Sequence, residues 1–191
     1  MHPRCRCAIM YNEVEKPKLN NKPRGLAAGN IDTTTAEGSP PKLIGKLESV
    51  TEAAIKKTLE DYEKQIVTAP IENAIIVTMT GEIYHCTGEL NGIDTIVELG
   101  EKLRGAYITH NHPIGSDNEY SFSYLDWNLF KDFNLACLRG IDEKFIYELN
   151  RNAQDKEMIF SLEFANEFNF RHNQVAELAQ MTGVGYRRWV R

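Results

Sequence analysis

The pattern of apolar and polar positions divides the chain near residue 49. Residues 1–48 are rich in Lys, Pro, Asn, Gly and Thr and show no periodicity, which predicts a flexible, mostly disordered N-terminal arm or linker. From Thr51 to Glu63, apolar residues recur at helical spacing and predict a first helix. We therefore expect one folded domain over residues 49–191.

After Pro70 the pattern changes to short apolar runs, which predict strands. The predicted strands are 74–79, 83–86, 106–110, 135–138 and 144–149, with turns at Gly81 and at 140–143. Helical spacing returns over 93–103, over 123–133 and, as a long terminal helix, from Asp155 to about Gln180. This order predicts an α/β (α+β) fold, in which helices flank a mixed β-sheet.

Composition narrows the class of protein. The 191 residues are 42% hydrophobic and 26% charged, a globular composition, and the net charge of −5 disfavours a nucleic-acid-binding surface. No apolar stretch approaches the roughly 20 residues that a bilayer requires, and the N-terminus lacks a secretory signal. The four cysteines show no disulfide spacing, so we expect a cytoplasmic protein. The short basic run at 186–191 is expected to be a solvated tail rather than a binding patch.

Two of the five histidines stand two apart in the stretch ITHNHPIG, which begins at Ile108. Residues i and i+2 of a strand share a face, so His110 and His112 can present two imidazoles to one point. Zinc binds such nitrogens at about 2.0–2.1 Å and prefers four ligands. For the pair alone, an exposed turn is the favoured interpretation.

The next helix begins with the pattern S-x-x-D at Ser123 and Asp126. This is ordinary helix-initiation chemistry, since a serine cap and an acid three residues later satisfy free backbone N–H groups. It also places a carboxylate and a hydroxyl on the first helical turn. Two histidine nitrogens, one carboxylate and an open fourth position are the arrangement of a catalytic zinc site.

The combination of H-N-H-P and S-x-x-D resembles the JAMM (JAB or MPN-type) metalloprotease-like domain, closest to RadC-like and phage- or toxin-associated members. The resemblance covers roughly residues 71–151 and implies a JAB/MPN-like fold with cytidine-deaminase-like layering. It implies that His110, His112 and Asp126 bind Zn²⁺ and that Ser123 supports an oxyanion. Ten residues separate His112 from Ser123, a longer loop than usual, and Asp117 within it remains a minor ligand candidate.

The same resemblance implies a catalytic glutamate at the start of a strand that leads into a hairpin. Glu72 stands just before the predicted strand 74–79 and would be the general base. The alternative interpretation of Glu72 is an exposed acid ahead of a strand. Glu82, in the turn, and Glu89, after the second strand, match the pattern less well.

The opening residues HPRCRC resemble the ending of phage minor head (head-morphogenesis) proteins, although a disordered basic terminus is the favoured interpretation of this fragment alone. Together the resemblances imply a zinc-dependent peptidase or isopeptidase in a phage or prophage context. Its expected partners are a protein or peptide substrate and phage head or portal proteins, in the host cytoplasm or on the virion. The alternatives are a catalytically idle JAB-like assembly module and, against the acidic charge, a RadC-like role in nucleic-acid processing.

Overall fold

A seven-stranded mixed sheet forms the centre of the protein in a computed structural model that describes residues 29–34, 38–88, 92–113, 120–151 and 169–191. Its strands are β1 (Ser39–Lys46), β2 (Asn73–Val77), β3 (Glu82–Thr87), β4 (Tyr107–Asn111), β6 (Cys137–Ile141), β7 (Phe145–Asn150) and β9 (Gly185–Val190). Their order across the sheet is β1-β3-β2-β4-β6-β7-β9. A separate two-stranded sheet pairs β5 (Tyr120–Ser123) with β8 (Asn169–Arg171).

Helices cover both faces of the large sheet, which confirms the predicted mixed sheet flanked by helices. They are α1 (Glu52–Ile66), a 3₁₀ segment (Asp94–Leu103), α2 (Tyr124–Asp132) and α3 (His172–Thr182). No helix in the described part of the chain is long and apolar enough to cross a membrane. Helix α1 begins where its cap residue, Thr51, accepts the Ala54 N–H through Oγ1 at 3.2 Å.

The alternation of side chains along the strands separates two apolar cores. On one face, α1 packs Leu59 and Ile66 against Ile75 of β2. On the other face, the 3₁₀ segment, α2 and α3 pack around Ile108 of β4, with Trp127 fully buried. The sheet is therefore the middle layer of the fold. A side chain near a strand end can be assigned either to the face that α1 covers or to the face that α2 and α3 cover.

Strands β4 and β6 are the parallel pair, joined through α2. All other neighbours in the large sheet are antiparallel. Because β4 and β6 run in the same direction, their carboxyl ends meet at one edge, where Asn111 lies beside Ile141. In sheets with such a crossover, this edge is where ligands commonly bind.

The expected start of the folded domain near residue 49 is wrong, because β1 already belongs to the sheet. It pairs with β3, with Ser39 beside Thr87 and Lys46 beside Glu82. The two prolines at 40–41 and the polar composition gave the appearance of a linker. An edge strand tolerates both, since only one side of it must hydrogen-bond. Residues 1–28 and 35–37 lie outside the described residues, so disorder of the arm stays a prediction.

The C-terminal region also departs from the sequence-based expectation. A continuous helix from Asp155 to about Gln180 is wrong, because β8 occupies Asn169–Arg171 and α3 starts at His172; residues 152–168 lie outside the described residues. The basic end is strand β9 rather than a solvated tail. The arginines of β9 hid the alternation of apolar and polar residues that indicates a strand. One of them, Arg187, packs on the sheet by pairing with buried Glu148.

Candidate metal centre

The two histidines of the H-x-H pattern lie at the edge where β4 and β6 end. The His112 N–H donates to the Ile141 carbonyl at 2.7 Å, which extends the pairing by one residue beyond β4. His110 and His112 therefore face the same side, as predicted. Their Nε2 atoms are 3.2 Å apart.

Asp126 reaches this pair from the first turn of α2. Its Oδ1 lies 3.5 Å from His110 Nε2, and both side chains are buried. Two ligands at about 2.0–2.1 Å from one tetrahedral zinc ion are about 3.3–3.4 Å apart. The separations at His110 therefore suit a shared ion. In the part of the chain that the structure describes, no three His, Cys, Asp or Glu side chains are arranged so that they could hold a metal ion together.

The helix cap explains how the Asp126 carboxylate is oriented. Its Oδ2 accepts the Ser123 N–H and the Ser123 hydroxyl, both at 2.7 Å, while the Asp126 N–H donates to Ser123 Oγ at 3.1 Å. S-x-x-D thus forms the capping box that its spacing predicts. The cap uses Oδ2 and leaves Oδ1 toward His110, so helix initiation and metal binding are compatible in the same two residues.

Three residues that sequence reasoning did not select enclose His112. Its ring stacks on Tyr147 at 6.0 Å between centroids. Gly140, beside His110 in the sheet, leaves room for that ring, because a Cβ there would lie 3.1 Å from His112 Nε2. The Tyr147 hydroxyl donates to Asp142 Oδ2 at 2.7 Å, which fixes the tyrosine under the histidine. These contacts join separate strands, so only the placement of Gly140 in a strand rather than a turn could have signalled them.

The electrostatics of the site favour neutral imidazole, the form that binds metals. Burial, together with the neighbouring His110, lowers the pKa of His112 from 6.5 to about 4, although the carboxylates of Asp126 and Asp142 oppose the shift. His112 is therefore neutral at pH 7, and one of its ring nitrogens has a lone pair that a metal ion could take.

Glu72 directly precedes β2, at the sheet edge where β4 ends. Ala74 and His110 are the last residues that pair between these two antiparallel strands. The same register, continued by two residues, brings Glu72 level with His112 and on the same face. Glu72 is only 6% exposed, so its alternative interpretation as an exposed acid is wrong.

Glu82, which matches the motif less well than Glu72, lies elsewhere in the fold. Glu82 begins β3, where Ile83 pairs with Val77, and its carboxylate lies 3.1 Å from Lys102 Nζ. That is the opposite edge of the sheet from His110. Glu89 and Asp117 lie outside the described residues.

The remaining described histidines and cysteines are structural. His85 Nε2 is 2.9 Å from Asn73 Oδ1, and His172 Nδ1 is 2.9 Å from the Tyr186 hydroxyl. The thiols of Cys86 and Cys137 are free and buried, and burial raises the pKa of both. The N-terminal cysteines and His2 lie outside the described residues.

We expect His85 to make stability depend on pH. Burial lowers its pKa from 6.5 to about 4, an effect increased by Lys42 and opposed by Asp32. Between these values the unfolded chain binds a proton that the folded chain does not, so the free energy of unfolding should fall as pH falls from about 6.5 to about 4. In urea unfolding at pH 7 and pH 5, His85→Gln should show a smaller loss than the natural protein. Equal losses would contradict this assignment, because all other titrating groups are common to both proteins.

Comparison with known proteins finds no match for this chain among protein-family models, curated proteins or solved structures. The JAMM-type resemblance therefore depends on the motif residues and on where the fold places them.

Proposed function

We propose that this domain is a zinc-dependent peptidase or isopeptidase of the JAMM type with a JAB/MPN-like fold. The observation that carries the proposal is the meeting of His110, His112 and Asp126 at one sheet edge, with separations of 3.2 Å and 3.5 Å. A buried carboxylate, Glu72, stands two residues before Ala74, which pairs with His110. Two nitrogens, one ligating carboxylate and one further carboxylate are the groups that metal-assisted amide hydrolysis requires.

Each residue has a distinct role in the proposed reaction. His110, His112 and Asp126 would hold Zn²⁺, which when bound supplies Lewis acidity and a water of lowered pKa. Glu72 takes the proton of the attacking water and delivers it to the leaving amine. Ser123 donates its hydroxyl to the developing oxyanion, for which the O–H must turn away from Asp126 Oδ2.

The proposed substrate is a protein or peptide in a phage or prophage head-morphogenesis context. The arrangement of the site and its resemblance to the JAMM type support the amide chemistry. The HPRCRC opening, which lies outside the described residues, supports the phage context. Head or portal proteins are the proposed partners, and the host cytoplasm or the virion is the proposed location.

Metal analysis tests the ligand set directly. The protein equilibrated with zinc should hold about one ion per chain, and His110→Ala, His112→Ala and Asp126→Asn should each reduce that content strongly. Thr51→Ala is a matched control, because it removes the cap of α1, at a cost of about 1 kcal/mol, without touching a proposed ligand. His85→Gln controls for a histidine outside the site. Full zinc content in His110→Ala combined with His112→Ala would overturn the proposed site.

Peptide cleavage separates the enzyme from its alternative, an idle assembly module. A proteome-derived peptide library incubated with the zinc-loaded protein should yield new amino termini, detected by mass spectrometry, that disappear in His112→Ala. Zinc bound at one per chain without any such termini, and without cleavage of folded phage head proteins, would favour the assembly module.

A further inference from the structure

We infer that Asn111, the residue between the two histidines, positions the carboxylate of Glu72. This inference goes one step beyond the proposed function and rests on it, because it concerns how the general base is held. Asn111 is fully buried and faces α1, on the side of the sheet opposite to His110 and His112. It contributes no ligand itself, so its effect must pass through the backbone that it binds.

The Asn111 amide binds the chain on both sides of Glu72. Its Oδ1 accepts the Asn73 N–H at 2.7 Å. Its Nδ2 lies 3.1 Å from the Ile71 carbonyl and 3.4 Å from the Ala69 carbonyl and donates to both. One planar group thus fixes the residues immediately before and after Glu72.

Further hydrogen bonds hold the same segment, and we call the contacts of the Asn111 and Asn73 side chains around Glu72 the clamp. The Asn73 side chain donates through Nδ2 to the Ile71 carbonyl at 3.0 Å and accepts from His85 Nε2 at 2.9 Å. The Glu72 carbonyl itself accepts the Gly88 N–H at 2.8 Å. The backbone on both sides of Glu72 is therefore held from β4 and from β3.

The clamp links the proposed metal ligands to the proposed base through consecutive residues at the end of β4. His110 and His112 would position the ion on one face, and Asn111 positions the backbone of Glu72 from the other. A shift of this strand end therefore moves the proposed ligands and the base together. Catalytic groups must be held within a fraction of an ångström of the productive geometry, which this connection provides.

The clamp requires the functional groups of asparagine. It needs one acceptor and two donors on a short planar side chain, whereas aspartate offers no donor and serine only one. Any replacement leaves the carbonyl groups of Ile71 and Ala69 without this donor in a buried position, which is unfavourable. The segment around Glu72 should then relax, even where the fold persists.

A purely structural role for Asn111 would have the same contacts, so the test needs a matched residue. Thr109 provides it, since it is buried on the same strand and the same face. Its Oγ1 donates to Glu63 Oε1 at 2.9 Å, away from the segment that carries Glu72. Thr109→Val therefore removes a buried hydrogen bond of β4 without releasing the clamp.

The experiment compares Asn111→Ala, the isosteric Asn111→Asp and Thr109→Val in three measurements. Hydrogen exchange of the metal-free proteins measures how well the Asn73 and Gly88 amides are protected. Zinc affinity measures whether the three proposed ligands are intact. Affinity for acetohydroxamate in the zinc-loaded proteins measures whether Glu72 is in position, since this probe chelates the ion and gives its proton to a neighbouring carboxylate. Glu72→Gln, alone and combined with Asn111→Ala, is measured alongside.

Asn111→Ala should exchange the Asn73 amide at least about tenfold faster, as expected for one lost hydrogen bond, whereas Asn111→Asp keeps the acceptor of that amide and should protect it better. Both variants lose the donor to the Ile71 and Ala69 carbonyls and should bind acetohydroxamate about tenfold more weakly. Zinc affinity should change by less than about threefold, since no ligand is removed. Thr109→Val should match the natural protein in all three measurements. On the Glu72→Gln background, Asn111→Ala should weaken acetohydroxamate binding no further.

Three distinct results would overturn the inference. If Glu72→Gln weakens acetohydroxamate binding but the Asn111 variants behave like Thr109→Val, Asn111 is structural and the proposed function stands. If Glu72→Gln itself has no effect while zinc is retained, the proposed base is wrong and the inference fails with it. Further weakening in the double variant would show that Asn111 acts on the site by another route.

Discussion

Glu72→Gln should keep zinc bound at nearly native affinity and lower the rate of amide hydrolysis by about 10²–10⁴, the range for lost general acid–base help. Glutamine matches glutamate in volume, which suits a residue only 6% exposed, but it has no basic oxygen to take a proton from water. The measurement is the turnover of a peptide from the library screen, with zinc content determined on the same samples. The register of Ala74 beside His110 is the observation that favours Glu72 over Glu82 as the proposed base.

Two variants bracket this result. His112→Ala should lose zinc and activity together, because it removes a ligand rather than a base. Glu82→Gln should leave both unchanged, since Glu82 pairs with Lys102 at the opposite edge of the sheet. A native rate in Glu72→Gln would therefore remove the proposed mechanism rather than transfer the role to Glu82.

The elements that sequence reasoning predicted well are those whose pattern is local. Strands β2, β3 and β4 are short apolar runs that end at turn residues, and α1 and α2 begin at side chains that cap them. Strands β1 and β9 were missed because each lies at an edge of the sheet. There, prolines and arginines are tolerated, so the residues that usually indicate a linker or tail occur within strands.

The candidate site shows the same division between local and long-range information. His110, His112, Ser123 and Asp126 were predicted because each pair is close in sequence and its spacing has a geometric meaning. Glu72 needed the pairing of β2 with β4, which no local pattern contains, so only the family resemblance suggested it. Tyr147 and the clamp at Asn111 depend on contacts across strands and could not be predicted from spacing.

A large effect on stability is expected from a change at Arg139, which lies among buried carboxylates on the face of the sheet that α1 covers. Arg139 is 2% exposed, and its Nε lies 3.1 Å from Glu63 Oε1 and 3.9 Å from Glu148 Oε2. No acceptor in the described residues is aligned with that Nε–H, so the contact with Glu63 is an ion pair rather than a good hydrogen bond. Glu148 also accepts from Arg187 at 2.8 Å. One buried cation therefore compensates carboxylates from α1 and β7.

Arg139→Met should lower the free energy of unfolding by about 3–5 kcal/mol, because it leaves buried Glu63 without a cation and Glu148 with Arg187 alone. Urea unfolding at pH 7 measures this, and Arg104→Met is the matched control, since the exposed pair with Glu101 should contribute at most about 1 kcal/mol. Adding Glu63→Gln and Glu148→Gln to Arg139→Met should recover much of the loss. An equal loss in Arg139→Met and Arg104→Met would show that the buried pair is not coupled.

The pH dependence of that loss provides an independent test of its cause. Burial already raises the pKa of Glu63, and Arg139 opposes the shift, so removing Arg139 should raise this pKa further. A carboxyl with a higher pKa in the folded state takes up its proton there first, so protonation stabilises the fold as pH falls. The deficit of Arg139→Met should therefore shrink between pH 7 and about 4.5, the ordinary pKa of glutamate. A deficit that stayed constant with pH would point to lost packing of the arginine side chain instead of an uncompensated charge.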